Sequence, residues 1–371
     1  MTVRNGFAAT RILWLGVTLA ALMLAGCASK AERGVLNYGL GASPELVRMT
    51  WPPRESGEVP RYVYAGELTG EENFRVPQEK KTGASGFFSW LAGLFDFEAV
   101  PVVLQRPQAG AVDGEGRVFV TDASRQAVFV FDPVEGRLDV WEGAAASRHF
   151  VAPTGIALGE MGEIYVADSE LGFVARINRE GKNVGVIGEG ELSRPVGVAF
   201  DAVTRQLYVA DTHAHDIKVF DASGRLLRTL GKHGDKPGEF NFPTYLALVK
   251  GELVVADTMN ARVQLLDIVT GQTRLIIGER GLNVGNLVRP KGVAADDEGN
   301  IYVVESYFDH LLVFNRKGEF LMPIGGVGRE VGKFYLPSSV WIDARNRVFV
   351  ADMFNGRVSL FQFLGGGAES E

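Results

Sequence analysis

The chain has 371 residues, of which 46% are hydrophobic and 22% charged, and this balance excludes a wholly disordered protein. The formal net charge of −7 argues against nucleic acid as a partner, the single cysteine excludes an internal disulfide, and five histidines leave few candidates for a metal centre. The 46 glycines exceed the ordinary share of about 7% and indicate many turns between short strands.

Residues 1–26 have the pattern of an export signal, in which basic residues precede an apolar run from Ile12 to Leu24 that is too short for a transmembrane helix. The run ends in Leu24-Ala25-Gly26-Cys27, which resembles the lipobox of bacterial lipoproteins. That resemblance implies that Cys27 takes a diacylglyceryl group, with fatty acids such as palmitate. In the alternative, Cys27 is only a small apolar residue of an ordinary signal peptide.

Membrane attachment would then come from the lipid, because an acidic protein is not drawn to anionic headgroups. Ala28 and Ser29 follow the cysteine, and the absence of aspartate at position 28 resembles lipoproteins sorted to the outer membrane. We therefore expect the protein to lie in the bacterial cell envelope, on the periplasmic side of the outer membrane. Residues 27–60 are predicted to be the lipidated cysteine and a partly extended tether.

A five-residue phrase of β-branched and aromatic residues, ending in an acid, recurs six times along the chain. The acids are 43 to 48 residues apart, and a proline stands 14 to 16 positions before each of them. The acids are Asp122, Asp168, Asp211, Asp257, Glu305 and Asp352, and the prolines are Pro107, Pro153, Pro195, Pro243, Pro290 and Pro337. A period near 46 with alternating short strands and turns predicts four-stranded propeller blades and not helical repeats.

Several of these phrases resemble the NHL-repeat six-bladed β-propellers. The closest matches are Arg289-Pro-Lys-Gly-Val-Ala-Ala-Asp296 and the Asn-x-Arg-Val phrases at 260–263 and 355–358, and the likeness spans about residues 106–364. It implies an all-β fold of six four-stranded antiparallel blades. Such propellers serve as binding platforms in some proteins and as enzymes in others, so the likeness fixes no single activity.

Blade six lacks an outer strand, because the chain passes from Phe361-Gln-Phe-Leu364 into a glycine-rich tail at 365–371. An unpaired edge is an aggregation hazard, and residues 61–68 have the pattern of the missing strand. We therefore predict a ring closed by this N-terminal strand. The alternative is a separate hairpin or a loose segment.

The insertion 69–105 separates this closing strand from blade one. It contains Phe87, Trp90, Leu91, Leu94 and Phe95 at the spacing of an amphipathic helix, predicted over about 84–97. The helix could pack on the propeller, or it could contact the membrane or a partner with help from Lys80 and Lys81.

In blades with strand order a-b-c-d, the d-to-a links and the b-to-c loops emerge on one face, which we call the loop face. All five histidines are predicted to lie there, and His213, His215, His233 and His310 are weak candidates for metal ligands. The loops also supply aromatic residues, methionines and arginines, the composition of a protein-binding patch. These candidates are Arg125, Phe173, Met259, Arg262, Tyr307, Phe308, Met353, Phe354 and Arg357.

The six repeated acids admit two interpretations. A structural role shared by all blades, in which each carboxylate accepts backbone N–H bonds from the following loop, explains why they repeat. A central cation site is the alternative, but six carboxylates on separate blades would be too far apart to share one ion.

Two functional classes follow from these residues. The first is a lipid-anchored, monomeric, non-enzymatic scaffold that presents its loop face to an envelope protein, peptide or glycan. The second is a metal-dependent propeller enzyme, resembling the lyases and lactone hydrolases of this fold, that uses the loop histidines. We identify no nucleophile motif and assign no catalytic residue and no cofactor.

Overall fold

The computed structural model describes residues 33–39, 49–75 and 101–365, which form six antiparallel blade sheets around a central axis and two small two-stranded sheets. The described helices are all single turns of 3-10 helix: Arg54–Ser56, Glu71–Asn73, Glu160–Gly162, Thr258–Asn260 and Met353–Asn355. Within these ranges, none of the helices has the length and apolarity needed to span a bilayer. The predicted all-β, six-bladed propeller is confirmed.

Five blades are continuous in sequence, and each contains four strands in the order a-b-c-d. Blade 1 consists of β5 (Pro107–Val112), β6 (Val118–Asp122), β7 (Ala127–Asp132) and β8 (Arg137–Trp141). Blade 2 consists of β11 (Pro153–Leu158), β12 (Ile164–Asp168), β13 (Phe173–Ile177) and β14 (Asn183–Ile187). Blade 3 consists of β15 (Pro195–Asp201), β16 (Gln206–Asp211), β17 (Asp216–Asp221) and β18 (Leu226–Leu230).

Blades 4 and 5 repeat this arrangement. Blade 4 consists of β19 (Pro243–Val249), β20 (Glu252–Asp257), β21 (Arg262–Asp267) and β22 (Thr273–Ile277). Blade 5 consists of β23 (Pro290–Ala295), β24 (Ile301–Glu305), β25 (His310–Phe314) and β26 (Phe320–Gly325). A small hairpin, β9 (Gly143–Ala145) and β10 (Arg148–His149), lies in the link between blades 1 and 2.

Blade 6 is assembled from two distant segments of the chain. Its strands a, b and c are β27 (Ser339–Ile342), β28 (Arg347–Asp352) and β29 (Arg357–Phe363), and its outer strand is β3 (Tyr62–Leu68). The register places Val358 opposite Leu68 and Phe363 opposite Tyr62, so the predicted N-terminal closure of the ring is confirmed. A fifth strand that the sequence did not predict, β2 (Thr50–Trp51), pairs with β3.

The hydrophobic core lies between the blades and not in one centre. Strands b and c are buried because each sheet packs against the next sheet on either side. The repeated strand-b phrases therefore consist of fully buried residues, including the rings of Tyr165, Tyr208 and Tyr302. This packing explains why the phrase repeats with both of its faces apolar.

The innermost strands approach one another closely around the axis. The third residue of strand a is Gly155, Gly197 or Gly292 in three blades, where a Cβ atom would overlap the backbone of the next blade. In blade 4 the same position holds Tyr245, which is buried and reaches across the axis. The small residues of the other blades leave room for its ring.

The segment 27–60 differs from the predicted tether where the structure describes it. Gly34 donates a hydrogen bond to the carbonyl of Gly136 at 2.9 Å, and Tyr38 packs on the core of blades 1 and 6. The strand β1 (Val35–Leu36) pairs with β4 (Phe74–Arg75). Parts of this segment therefore lie against the propeller, because they cover apolar side chains at its rim.

Several predictions fall on residues that the structure does not describe. The export signal, Cys27 and the amphipathic helix over 84–97 lie outside the described residues, as does most of the tail. At the described start of the insertion, Asn73 is fully buried and accepts hydrogen bonds from the backbone N–H groups of Thr69 and Gly70. The amide of Asn73 also donates to the carbonyls of Asn37 and Glu67, both at 2.8 Å, so it ties these segments together.

Candidate binding face

The loop face is defined by the antiparallel pairing of strands a and b. In blades 1 to 5 the repeat proline pairs with the repeat acid, for example Pro153 with Asp168 and Pro290 with Glu305. The starts of the innermost strands therefore lie at the same face as the ends of strands b. Consequently the d-to-a links and the b-to-c loops emerge together.

The six repeated acids connect these two kinds of loop. Each carboxylate is buried, and it accepts hydrogen bonds from backbone N–H groups of the preceding link. In blade 2, Asp168 accepts from Val151 and Ala152 in the link and from Glu170 and Leu171 in the b-to-c loop, at 2.8 to 3.1 Å. The carboxylates thus satisfy backbone donors within their own blades and do not converge on one point.

Burial disfavours the ionised form of these carboxylates. It raises the pKa of Glu305 and of Asp352 above the ordinary values, although the backbone N–H bonds lower them in part. Asp352 and Asp257 also have cationic partners. The acids are thus held by donors that favour the ionised form in a buried setting.

The Asn-x-Arg-Val phrases build a clamp in blades 4 and 6. Arg262 donates from Nε to Asp257 at 2.7 Å, and its terminal nitrogens donate to link carbonyls, including those of Lys236 and Glu239 at 2.9 Å. Arg357 donates to Asp352 at 2.9 Å and to the carbonyls of Glu330 and Lys333 at 3.0 Å. The phrase therefore fixes the link to its blade.

Four of the predicted partner-binding residues present little or no side-chain surface in the structure. Phe173 is fully buried and Met353 is buried, while Arg262 and Arg357 are committed to the clamps. Phe173, Arg262 and Arg357 are each the first residue of a strand c, where the side chain points between blades.

The remaining candidates lie at the surface of the loop face. Tyr307, Phe354 and Met259 are exposed by 52%, 48% and 53%. Arg125 is exposed, and Phe308 is half-buried with its ring centroid 4.9 Å from that of Tyr307.

Two of these aromatic residues, Tyr307 and Phe354, lie with Tyr335 on loops of the neighbouring blades 5 and 6. We define the aromatic patch as Tyr307, Tyr335 and Phe354. The rings of Tyr335 and Phe354 are 5.6 Å apart, and Arg106 from the adjoining link of blade 1 lies 5.4 Å from the ring centroid of Phe354. Arg289 lies 5.8 Å from the ring centroid of Tyr307. The patch therefore combines flat apolar surface with two guanidinium groups.

Three of the five histidines lie together between blades 3 and 4. The rings of His215 and His233 are 4.4 Å apart, and Phe242 packs 4.4 Å from His215 and 6.0 Å from His213. Nδ1 of His215 accepts a hydrogen bond from the backbone N–H of Phe242 at 3.1 Å. Burial, followed by the neighbouring His233 and His213, lowers the pKa of His215 and favours its neutral form.

The other two histidines are separate from this cluster. His310 is the first residue of β25 in blade 5, at the position that holds arginine in blades 4 and 6, and burial lowers its pKa. His149 lies on the hairpin between blades 1 and 2, 3.8 Å from Glu142. In the described part of the chain, no three His, Cys, Asp or Glu side chains are grouped so that they could hold a metal ion.

The sequence analysis missed the cationic residues next to the repeat prolines. Arg106 and Arg289 immediately precede Pro107 and Pro290, and Lys291 follows Pro290. The sequence did contain an indication of these residues, because the repeat places the neighbours of each proline at the start of the innermost strand. Only closure of the ring shows that blades 5 and 1 bring them to one place.

Comparisons with known proteins agree with this architecture. The sequence model of the NHL repeat matches residues 192–220. The chain is 29% identical over 140 residues to the protein brain tumor of Drosophila melanogaster, covering 37% of this chain and 13% of that protein. It is 30% identical over 155 residues to NHL repeat-containing protein 2 of Homo sapiens, covering 33% of this chain and 21% of that protein. The chain thus spans a small part of these relatives.

Solved structures show the same fold at low sequence identity. Virginiamycin B lyase from Staphylococcus aureus superposes with a TM-score of 0.52 at 11% identity, covering 70% of this chain and 96% of that chain. This likeness concerns the fold alone. Together with the six observed blades and the repeat match, it leads to one conclusion: the chain carries an NHL repeat and folds as a six-bladed β-propeller.

Proposed function

We propose that the protein is a lipid-anchored, non-enzymatic propeller of the bacterial cell envelope whose loop face binds a protein or peptide partner. The observation that supports binding is the aromatic patch of Tyr307, Tyr335 and Phe354, flanked by Arg106 and Arg289. Rigid aromatic rings and arginine dominate the binding energy of protein interfaces. These rings stand on loops that the buried acids hold in place, so they are ordered before a partner arrives.

The anchor is supported by the sequence Leu24-Ala25-Gly26-Cys27. We expect wild-type protein to fractionate with membranes and to require detergent for extraction. Cys27→Ser should move it to the aqueous fraction, because a diacylglyceryl group supplies the attachment. Cys27→Ser protein that still requires detergent would contradict the lipid anchor.

The binding function is tested by capture from envelope extracts with detergent-solubilised full-length protein. Tyr307→Ala/Phe354→Ala should reduce capture of a specific partner by at least about tenfold, because two central aromatic contacts are lost. The matched control is Phe320→Ala/Leu321→Ala, which removes exposed apolar side chains from outer strand β26, away from the loop face. Equal capture by wild type and the Tyr307/Phe354 variant would contradict the proposal.

The second candidate, a metal-dependent propeller enzyme, draws on the grouping of His213, His215 and His233. Against it, the rings stack on one another and on Phe242, and Nδ1 of His215 already accepts a backbone N–H. Metal analysis of purified protein separates the two functions. Stoichiometric zinc that is lost in His213→Ala/His215→Ala would favour the enzyme.

A further inference from the structure

Lys291 brings a positive charge to the centre of the loop face. It is the second residue of β23, the innermost strand of blade 5, and its carbonyl accepts a hydrogen bond from Oγ1 of Thr244 in blade 4 at 2.9 Å. Lys291 therefore belongs to the ring of residues around the axis. The same position in the other blades holds uncharged residues: Gln108, Thr154, Val196, Thr244 and Ser338.

Two arginines add to this charge. Arg289 lies two residues before Lys291 in the same link, and Arg106 comes from the link of blade 1. Burial, and then the positive charges of Arg289 and Arg106, lower the pKa of Lys291 to about 8. Arg106 and Arg289 directly precede the repeat prolines that begin the innermost strands, so both lie at the loop-face end of these strands, and each repels the charge of Lys291.

No acid of the described residues forms an ion pair with these three groups. No carboxylate of the described residues acts on Lys291, and none lies within ion-pair distance of Arg106 or Arg289. The nearby acids are occupied by backbone donors: Glu305 accepts from Val288, Arg289 and Tyr307, Asp122 from Gln105 and Arg106, and Asp309 from Leu336. Glu305 and Asp309 attract Arg289, but no described carboxylate acts on Lys291, which is the desolvated cation of the three.

Tyr245 closes the opening in which these groups lie, which we call the axial mouth. Its hydroxyl donates to the carbonyl of Gln108 at 3.3 Å, and blades 1 and 4 stand opposite each other in a ring of six. Its ring separates the axial mouth from a cavity of about 200 Å³ farther along the axis. The mouth is consequently shallow and suits a small group or the end of a larger ligand.

We propose that the axial mouth binds an oxyanion, a carboxylate or a phosphate group, between Lys291, Arg289 and Arg106. Such a group would supply a negative charge directly to Lys291, and its oxygens would accept charge-assisted hydrogen bonds from an ammonium and two guanidinium donors. The surrounding aromatic patch would then contact the rest of the ligand. This inference rests on the proposed function for that last contact only.

The test uses full-length detergent-solubilised protein and isothermal titration calorimetry with two kinds of probe. One is inorganic phosphate. The other is acetyl-triglycine with a free C-terminal carboxylate, compared with the same peptide amidated at its C-terminus. Tighter binding of the free acid assigns the site to a peptide carboxylate, whereas binding of phosphate alone assigns it to a phosphate group.

Variants at Lys291 decide between a built site and general charge attraction. Lys291→Met should weaken binding at least tenfold, and Lys291→Arg should retain it. The matched control is Lys317→Met, which removes an exposed lysine from the turn at Asn315–Gly318 on the opposite face and should bind like wild type. Affinity should also fall as the pH rises above 8, because Lys291 then loses its proton.

Two results would overturn the site. One is that neither probe binds at 10 mM, and the other is that Lys291→Met binds as tightly as wild type. Folding of that variant is checked by urea unfolding, where loss of like-charge repulsion should leave the midpoint unchanged or raised. Partner capture and anion binding are measured separately, so either proposal can fail while the other stands.

Discussion

Blades 2 and 6 use the same position of the repeat in opposite ways. In blade 2, strand c begins with Phe173, whose ring fills the space between blades, and Asp168 is satisfied by backbone N–H groups alone. In blade 6, strand c begins with Arg357, which donates to Asp352, to two link carbonyls and to Glu67 of the closing strand at 3.1 Å.

The difference follows from how each blade is assembled. Blade 2 is continuous, so its outer strand is held in place by the chain itself. Blade 6 must hold an outer strand from a segment nearly three hundred positions away in sequence, and Arg357 bridges that join. Blade 4 is continuous and has the same arginine clamp, so the feature particular to blade 6 is the additional bond from Arg357 to Glu67 of the closing strand.

The largest expected effect comes from removing the bridge. Arg357→Met should lower the free energy of unfolding by about 3 to 5 kcal/mol, because it leaves the buried Asp352 without its cation and several acceptors without donors. Urea unfolding measures the change. The control, Arg225→Met, removes a guanidinium whose side chain is 76% exposed and should change stability by at most about 0.5 kcal/mol. Equal losses for the two variants would show that Arg357 does not support the join.

A substitution at the repeat acid of blade 2 should lower the free energy of unfolding by a somewhat smaller amount. Asp168→Asn replaces one accepting oxygen with an amide that faces backbone N–H donors, so we expect a loss of about 2 to 3 kcal/mol in urea unfolding. Asp139→Asn, on the outer strand of the neighbouring blade 1, is the control and should be nearly neutral. A neutral Asp168→Asn would mean that the ionised acid is unnecessary for holding the link.

A further contact joins the closing strand to blade 5. The hydroxyl of Tyr62 lies 2.9 Å from that of Tyr302, which donates to Asp296, so Tyr62 is the donor to Tyr302. Tyr62→Phe should lower the free energy of unfolding by about 1 kcal/mol. Tyr335→Phe, at a half-exposed hydroxyl on the loop face, is the control. A loss equal to that control would exclude a contribution of this hydrogen bond to closure.

The smallest expected effect concerns His310, which occupies in blade 5 the position of Phe173 and Arg357. Its lowered pKa means that the unfolded chain binds this proton more readily than the folded protein, so its contribution to stability is lost as the pH falls below about 6.5. Asp309 and Lys333 lie beside it and act in opposite directions. His310→Asn should reduce the drop in urea midpoint between pH 7.5 and pH 5.0. An unchanged drop would show that other groups cause it.

Much of the fold could be predicted because burial imposes a strong pattern. Strand b is covered on both faces, so five-residue apolar phrases recur, and the missing outer strand of blade 6 directs attention to residues 61–68. The added strand Thr50–Trp51 could not be predicted. Two residues before consecutive prolines carry no periodic pattern.

The candidate site was harder to predict, because membership of a loop does not determine the direction of a side chain. Phe173 and Arg357 were assigned to the surface, yet each begins a strand and points between blades. The charges of Arg106 and Lys291 are far apart in sequence. Arg106 acts on the charge of Lys291 only because the ring closes between blade 6 and blade 1.

The position of Tyr245 affects what can pass along the axis of the propeller. Since its ring reaches across the axis and its hydroxyl is bound on the far side, it stands in the path between the two faces. An extended peptide threaded through the middle would have to displace this ring and break its hydrogen bond.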